Sequence, residues 1–154
     1  MSGIPGRTRR KPLEVPDGLR EAYAATDYVV HATPELHVRI GEQLPRELAA
    51  LMVENGCRTA AIVTAWNPCS QRLPSQDNHL RQLQLHHDLR TAGIVWVPAE
   101  GRDPTGAWPA EASVLAFGLD AEEARGLMVR HQQHAIVWLP IGEPASLRFM
   151  KDMD

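Results

Sequence analysis

The sequence predicts an α/β or α+β domain built on a single mixed β-sheet with helices packed on its faces. Residues 59–63 form a short apolar run rich in small and β-branched side chains, which is typical of a strand buried on both faces. A helical pattern follows in residues 75–91, and further apolar strands are predicted beyond it. The whole order is a β-hairpin, helix, strand, helix, two strands, helix and two strands, which favours a sheet covered by helices.

Length and composition indicate one folded domain. At 154 residues with 44% hydrophobic content, the chain can form one substantial core, so we assign residues 17–154 to a single domain. Residues 1–16 are rich in proline, glycine and basic side chains, and are predicted to form a flexible basic arm. Such an arm is able to touch phosphates, although an ordinary charged tail is the favoured reading.

Charge and hydropathy indicate which classes of partner the protein is expected to lack. Sixteen basic against 19 acidic residues give a formal charge of −3, so nucleic-acid binding is disfavoured. With no apolar run near 18 residues and no secretory signal, we predict a cytoplasmic protein without a membrane partner. Cys57 and Cys69 flank the central strand and are predicted to be reduced thiols.

The first half of the chain has clear boundaries. A short helix is predicted from Pro16 to about Ala25, followed by an antiparallel hairpin formed by residues 28–31 and 36–40. A helix over residues 45–54 ends at Asn55-Gly56.

The centre of the chain joins the buried strand to a polar turn and a helix. Pro68 ends the strand region, and Ser75 is the predicted N-cap of a helix that runs to about Thr91 and stops at Gly93. At 3.6 residues per turn this helix has two stripes. One contains Asn78, Arg81, Leu85 and Leu89, and the other Leu80, Leu83 and His87.

The last part alternates strands with loops and one helix. Residues 94–97 form a strand that Pro98 is expected to end, and the turn-rich loop after it is expected to be anchored by Trp108. Glu111 precedes a strand over residues 113–117, and Asp120 caps a helix reaching about Gln132. Residues 135–139 and 147–150 are the last strands.

Three motifs carry a resemblance to a known family. The segments TAWNPCSQRLPSQDNHLRQLQ, GRDPTGAWPAEASVLAFGLD and QQHAIVW occur in this order, and residues 60–147 resemble the bacterial family called domain of unknown function 3293. The resemblance implies a fold and a site, but no known activity. Its characteristic polar positions fall on Thr64, Asn67, Asn78, Arg81, Glu111, Ser113 and Gln133. The chain departs from the family at Ala112, where a second acidic residue is usual, and at Cys69 and His134.

These residues suggest a small-molecule site at one edge of the sheet, with an anionic or nucleotide-like ligand among the candidates. Arg81 and the N-terminus of its helix would hold an anionic or carbonyl group. Glu111 is the candidate general acid or base, although a structural ion pair with Arg81 is an equally good interpretation. The candidate ligand-binding residues are Thr64, Asn67, Asn78, Arg81, Ser113 and Gln133.

Other functional classes receive less support. The histidine spacing does not predict a metal site, no cofactor motif is present, and no base is fixed beside Cys69 to make it a nucleophile. The alternative to a ligand site is a non-enzymatic interaction module. In that reading the stripe of Leu80, Leu83 and His87 meets a partner or another copy, so a homodimer remains open.

Strand directions lead to a geometric prediction. If residues 58–65 point towards one edge, the helix after them starts at that edge and the strand after Glu111 also starts there. We therefore expect five polar residues to share one pocket or one hydrogen-bond network: Asn67, Asn78, Arg81, Glu111 and Gln133.

Overall fold

The computed structural model describes residues 16–150. Apart from Pro16, the predicted basic arm lies outside the described residues, as do the last four residues of the predicted domain. The helices are α1 (Leu19–Ala25), α2 (Arg46–Glu54), α3 (Ser75–Thr91) and α4 (Ala121–Arg130). The strands are β1 (Asp27–Val30), β2 (Leu36–Val38), β3 (Thr59–Val63), β4 (Trp96–Arg102), β5 (Glu111–Phe117), β6 (Ala135–Pro140) and β7 (Ser146–Phe149).

The strands form one seven-stranded sheet in the order β2-β1-β4-β5-β3-β6-β7. The predicted single sheet with helices on its faces is confirmed, but all its pairings are antiparallel instead of mixed. The reason lies in the connections: α3 joins β3 to β4 with β5 between them, and α4 joins β5 to β6 with β3 between them. These are two interlocked split β-α-β units, the ferredoxin-like arrangement.

The sheet separates two hydrophobic cores because side chains alternate along each strand. Ala60 and Ile62 of β3 pack with α2 and with residues of β1 and β2, on what we call the α2 face. Ala61 and Val63 pack with α3 and α4 on the opposite α3 face. Tyr23 brings α1 against the α2 face, so each side of the sheet carries two helices.

Local sequence signals explain the start of α4 and the end of α3. The Asp120 side chain accepts a hydrogen bond from the Glu123 backbone N–H and the Glu123 side chain accepts from Asp120, which confirms the predicted cap of α4. Gly93, at φ 72°, follows α3 as expected. Ser75 is not the N-cap of α3: Pro74 occupies that position, because its carbonyl already accepts the first helical bond, from the Asn78 N–H.

Pro98 does not end β4, contrary to the prediction, and the strand continues to Arg102. The Pro98 carbonyl accepts a hydrogen bond from the His31 N–H, one residue beyond the end of β1. In an antiparallel pair the N–H and C=O of one residue point to the same side. An N–H at Pro98 would therefore point towards His31, beyond the last residue of β1. Its absence removes no hydrogen bond of the β1–β4 pairing.

The buried stripe of α3 differs from the predicted one by one position. It consists of Asn78, Gln82, Leu85 and Leu89, while Arg81 is exposed. Both Arg81 and Gln82 project near Asn78 at 100° per residue, and packing against β3 selects Gln82 because its Oε1 accepts the Ala65 N–H at 3.1 Å. Leu80 and Leu83 lie on the exposed side.

Candidate functional site

The site is built around the turn that follows β3. Asn67 has left-handed backbone angles, φ 46° and ψ 67°, which asparagine tolerates better than most residues. Its N–H donates to Asn78 Oδ1 at 2.8 Å, and its own Oδ1 accepts from Asn78 Nδ2 at 2.7 Å and from the Leu73 N–H at 3.0 Å. Asn78 is only 1% exposed, so these bonds anchor the turn to the first turn of α3.

The free end of the Asn67 side chain holds a carboxyl group. Asn67 Nδ2 donates to Glu111 Oε1 at 3.0 Å, and Glu111 is the first residue of β5. Burial raises the pKa of the Glu111 carboxyl, and the hydrogen bond from Asn67 and the charge of Arg72 partly offset that rise. Asn78, Asn67 and Glu111 thus form a continuous chain of hydrogen bonds across three elements.

A cavity of about 240 Å³ lies between α1 and the end of the sheet on the α2 face. The strand ends that meet here are those predicted from the chain directions: the end of β3, the start of β5 and the segment after α4. Five of the predicted site residues line the cavity: Thr64, Asn67, Glu111, Ser113 and Gln133. Asn78 supports Asn67 from behind.

The other polar residues of the cavity brace its walls. Thr64 Oγ1 donates to the Ala112 carbonyl at 2.6 Å and accepts from the Trp66 N–H at 3.0 Å. Gln133 Nε2 donates to the Trp66 carbonyl at 3.2 Å and to the His131 carbonyl at 3.1 Å. The ends of β3, β5 and α4 are consequently held together by side chains that also face the cavity.

Arg81 does not join this group. It is exposed, does not line the cavity and makes no ion pair with Glu111, whose basic neighbour is Arg72. By either criterion, one pocket or one hydrogen-bond network, the geometric prediction holds for three of its five residues: Asn67, Glu111 and Gln133 line the cavity, and Asn67, Asn78 and Glu111 form the network. No arginine or lysine among the described residues lines the cavity.

Tyr23 and Tyr28 were not predicted to be site residues. Both line the cavity, and burial together with the charge of Glu111 raises the pKa of Tyr23 to about 12. Gly101 makes room for this wall, since a Cβ there would lie 3.3 Å from the Thr26 methyl group and 3.7 Å from the Tyr28 ring. A glycine facing a tyrosine across two paired strands is a signal visible only once the β1–β4 register is known.

A second, more open groove of about 470 Å³ lies beside α3 on the opposite face. Its polar lining includes His31, His79, His86 and Glu100, with His31 Nε2 at 3.3 Å from Glu100 Oε1. Within residues 16–150, no three or more His, Cys, Asp or Glu side chains are grouped so that they could hold a metal ion. Nor does any helix in this range combine the length and apolarity needed to cross a membrane.

Comparison with known proteins confirms the family resemblance. The model of the family described as protein of unknown function (DUF3293) matches residues 63–136, which include all seven polar positions named from the sequence. Tyr23 and Tyr28 precede the matched segment. No curated protein and no solved structure matches the chain.

Proposed function

We propose that the protein binds a small molecule in the cavity between α1 and the sheet. The observation that carries the proposal is the Glu111 carboxyl group, which stands on the cavity wall and is held by Asn67. Asn67 is itself fixed by Asn78, so the carboxyl is oriented before any ligand arrives. Preorganisation of this kind, with a second layer of hydrogen bonds, is what binding sites require.

The size of the cavity supports a compact ligand. Sites for drug-sized molecules usually enclose about 300–1,000 Å³, whereas this cavity has about 240 Å³. The volume favours a molecule smaller than a nucleotide. The absence of arginine and lysine from the described lining also gives an anionic ligand no direct counter-charge.

Glu111 is also the side chain that would exchange a proton with a bound molecule. A general acid or base works best when its pKa lies near the working pH, and burial moves the pKa of Glu111 in that direction. We propose ligand binding as the primary function, and proton transfer by Glu111 as the reaction that the site would carry out if the bound molecule is turned over.

The test is a metabolite screen by thermal shift and ligand-observed NMR on the wild type, Glu111→Gln and Arg81→Ala. We expect hits whose binding weakens in Glu111→Gln and is unchanged in Arg81→Ala, since Arg81 lies outside the cavity. Glu100→Gln is the matched control, because Glu100 lines the groove on the opposite face. Hits that bind all variants equally, or no hits at all, would contradict a site at Glu111.

Self-association is the second candidate function, and one observation favours it. Leu80 is 62% and Leu83 60% exposed, three residues apart on α3. Light scattering of the wild type and of Leu80→Glu/Leu83→Glu tests this candidate. A dimer that the double substitution dissociates would support it, and a monomer at all concentrations would eliminate it.

We also propose a bacterial, cytoplasmic protein. The family resemblance supports the source, and the two free cysteines, Cys57 and Cys69, are in keeping with a reducing compartment. Fractionation of a native host with antibody detection would test the location.

A further inference from the structure

The cavity is unusually rich in aromatic side chains for this chain. Its lining contains both tyrosines of the protein and two of its four tryptophans. These residues are Tyr23, Tyr28, Trp66 and Trp108, and they come from α1, β1, the turn after β3 and the loop before β5. Four separate elements therefore contribute one ring each to a cavity of about 240 Å³.

The described part of the cavity lining contains one charged group. Within residues 16–150, Glu111 is the single ionisable acid or base that lines the cavity, apart from the two tyrosines. Its Oε1 accepts from Asn67 Nδ2, and no described residue donates a hydrogen bond to its Oε2. One carboxylate oxygen is thus fixed by the protein, and the other has capacity for a ligand.

We propose that the ligand is a compact organic cation, a protonated amine or a methylated ammonium. This inference rests on the proposed function and assigns its ligand class. The positive charge would face Glu111, and the carbon groups around it would pack against the rings of Tyr23, Tyr28, Trp66 and Trp108. Aromatic faces attract cations, and cages of tyrosine and tryptophan recognise quaternary ammonium groups in this way.

Electrostatics favours a cation over an anion or an uncharged molecule in this cavity. An anion would have to enter beside a carboxylate with no arginine or lysine on the described walls. An uncharged molecule would leave the half-buried carboxylate with no counter-charge beyond the exposed Arg72, which is costly in an apolar site. A cation supplies that counter-charge directly, so Glu111 would ionise more readily in the complex than in the free protein.

Arg72 provides an independent check. Its charge acts on Glu111, and it is exposed, so it competes with a ligand cation from the solvent side. Replacing it with glutamine should strengthen cation binding. A purely structural role for Glu111 would not predict this increase.

The experiment uses choline and its uncharged isostere 3,3-dimethylbutan-1-ol, in which carbon replaces the ammonium nitrogen, with butyrate as the anionic probe. Titrations of the full chain are followed by tryptophan fluorescence and by NMR. We expect choline to bind about tenfold or more tighter than the isostere, a difference in keeping with a desolvated cation beside aromatic rings and a carboxylate. Glu111→Gln should abolish that preference, Glu100→Gln should keep it and Arg72→Gln should increase it.

Two substitutions of Tyr23 distinguish the contribution of its aromatic ring to choline affinity from that of its hydroxyl group. Tyr23→Phe keeps the ring and should retain most of the affinity for choline, whereas Tyr23→Leu should weaken it several-fold, with circular dichroism verifying that both variants fold. Equal binding of choline and the isostere, or tighter binding of butyrate, overturns the ligand class and leaves the proposed function standing. The ligand class is also overturned if the metabolite screen gives hits at this site and none of them is a cation. If neither these probes nor any metabolite binds, both proposals fail together.

Discussion

Asn67 and Asn78 are joined by two hydrogen bonds that run in opposite directions. The Asn67 backbone N–H donates to Asn78 Oδ1 at 2.8 Å, and Asn78 Nδ2 donates back to Asn67 Oδ1 at 2.7 Å. Because each side-chain oxygen is occupied as an acceptor, the orientation of both amides is fixed. The Nδ2 group of Asn67 is thereby directed at Glu111, and the position of the carboxyl group depends on a residue that does not touch the cavity.

The first prediction concerns Asn78→Ala. The substitution leaves the Asn67 N–H without its acceptor and removes one of the two donors to Asn67 Oδ1, and such losses cost about 1–3 kcal/mol when the groups are buried. Urea unfolding would measure this decrease in the free energy of unfolding. Gln84→Ala is the control, because its hydrogen bond to Asp88 is exposed, and it should change stability by no more than about 0.5 kcal/mol.

The second prediction separates the backbone of Asn67 from its side chain. Asn67→Gly and Asn67→Ala both lose the side-chain hydrogen bonds, but only alanine adds a strained left-handed conformation at φ 46°. Alanine should therefore be less stable than glycine by about 1–2 kcal/mol. Equal unfolding midpoints for the two variants would contradict the left-handed conformation of this turn.

The third prediction is a pH dependence at Glu111. Since burial raises the pKa of the folded-state carboxyl, the unfolded state releases its proton first as pH rises above about 4.3. Folding is then progressively destabilised until the folded-state carboxyl also ionises. Glu111→Gln has no carboxyl group to ionise and so avoids this decrease in the free energy of unfolding. The variant should therefore be more stable than the wild type at neutral pH.

At acid pH the comparison changes, because Glu111 is protonated in both states below about pH 4. The advantage of Glu111→Gln should shrink there. Thermal unfolding of both proteins from pH 3.5 to 8 is the measurement, and a stability difference independent of pH would refute the assignment of a destabilising carboxyl. A gain in stability on removing a side chain, accompanied by loss of binding, is what a functional residue produces.

The fourth prediction distinguishes the two stripes of α3. Leu85 is fully buried and Leu83 is 60% exposed. Leu85→Ala should reduce the free energy of unfolding by about 2–5 kcal/mol, as usual for core leucines, and Leu83→Ala by less than about 0.5 kcal/mol. If Leu83→Ala were strongly destabilising, the stripe would be covered, most simply by a second copy of the chain.

Much of this site was accessible from the sequence because its residues are tied to strand ends. Pro68 after an apolar run placed Asn67 at the end of β3, and the turn-rich loop placed Glu111 at the start of β5. Strand direction places both residues at the same edge of the sheet, and the pairing of β3 with β5 as antiparallel neighbours brings the end of one to the start of the other.

What the sequence did not reveal depends on tertiary packing. Arg81 and Gln82 both project close to Asn78, and only the position of β3 decides which of them is buried. Pro98 has the local properties of a strand end, and only the place where β1 stops makes it harmless within β4. Tyr23 lies on a helix of seven residues, and nothing in that helix indicates which part of the sheet its apolar face covers.

The placement of α1 over the cavity means that its lining comes from two parts of the chain, one outside and one inside the segment that matches the family model. The wall that carries Asn67, Glu111 and Gln133 falls within the segment that matches the family model, whereas the roof formed by α1, with Tyr23, comes before that segment. Substitutions in the roof can reshape the space above Glu111 while every hydrogen bond that positions the carboxyl remains. Part of the shape of the cavity is therefore encoded before residue 63, whereas the position of its carboxyl group is encoded within residues 63–136.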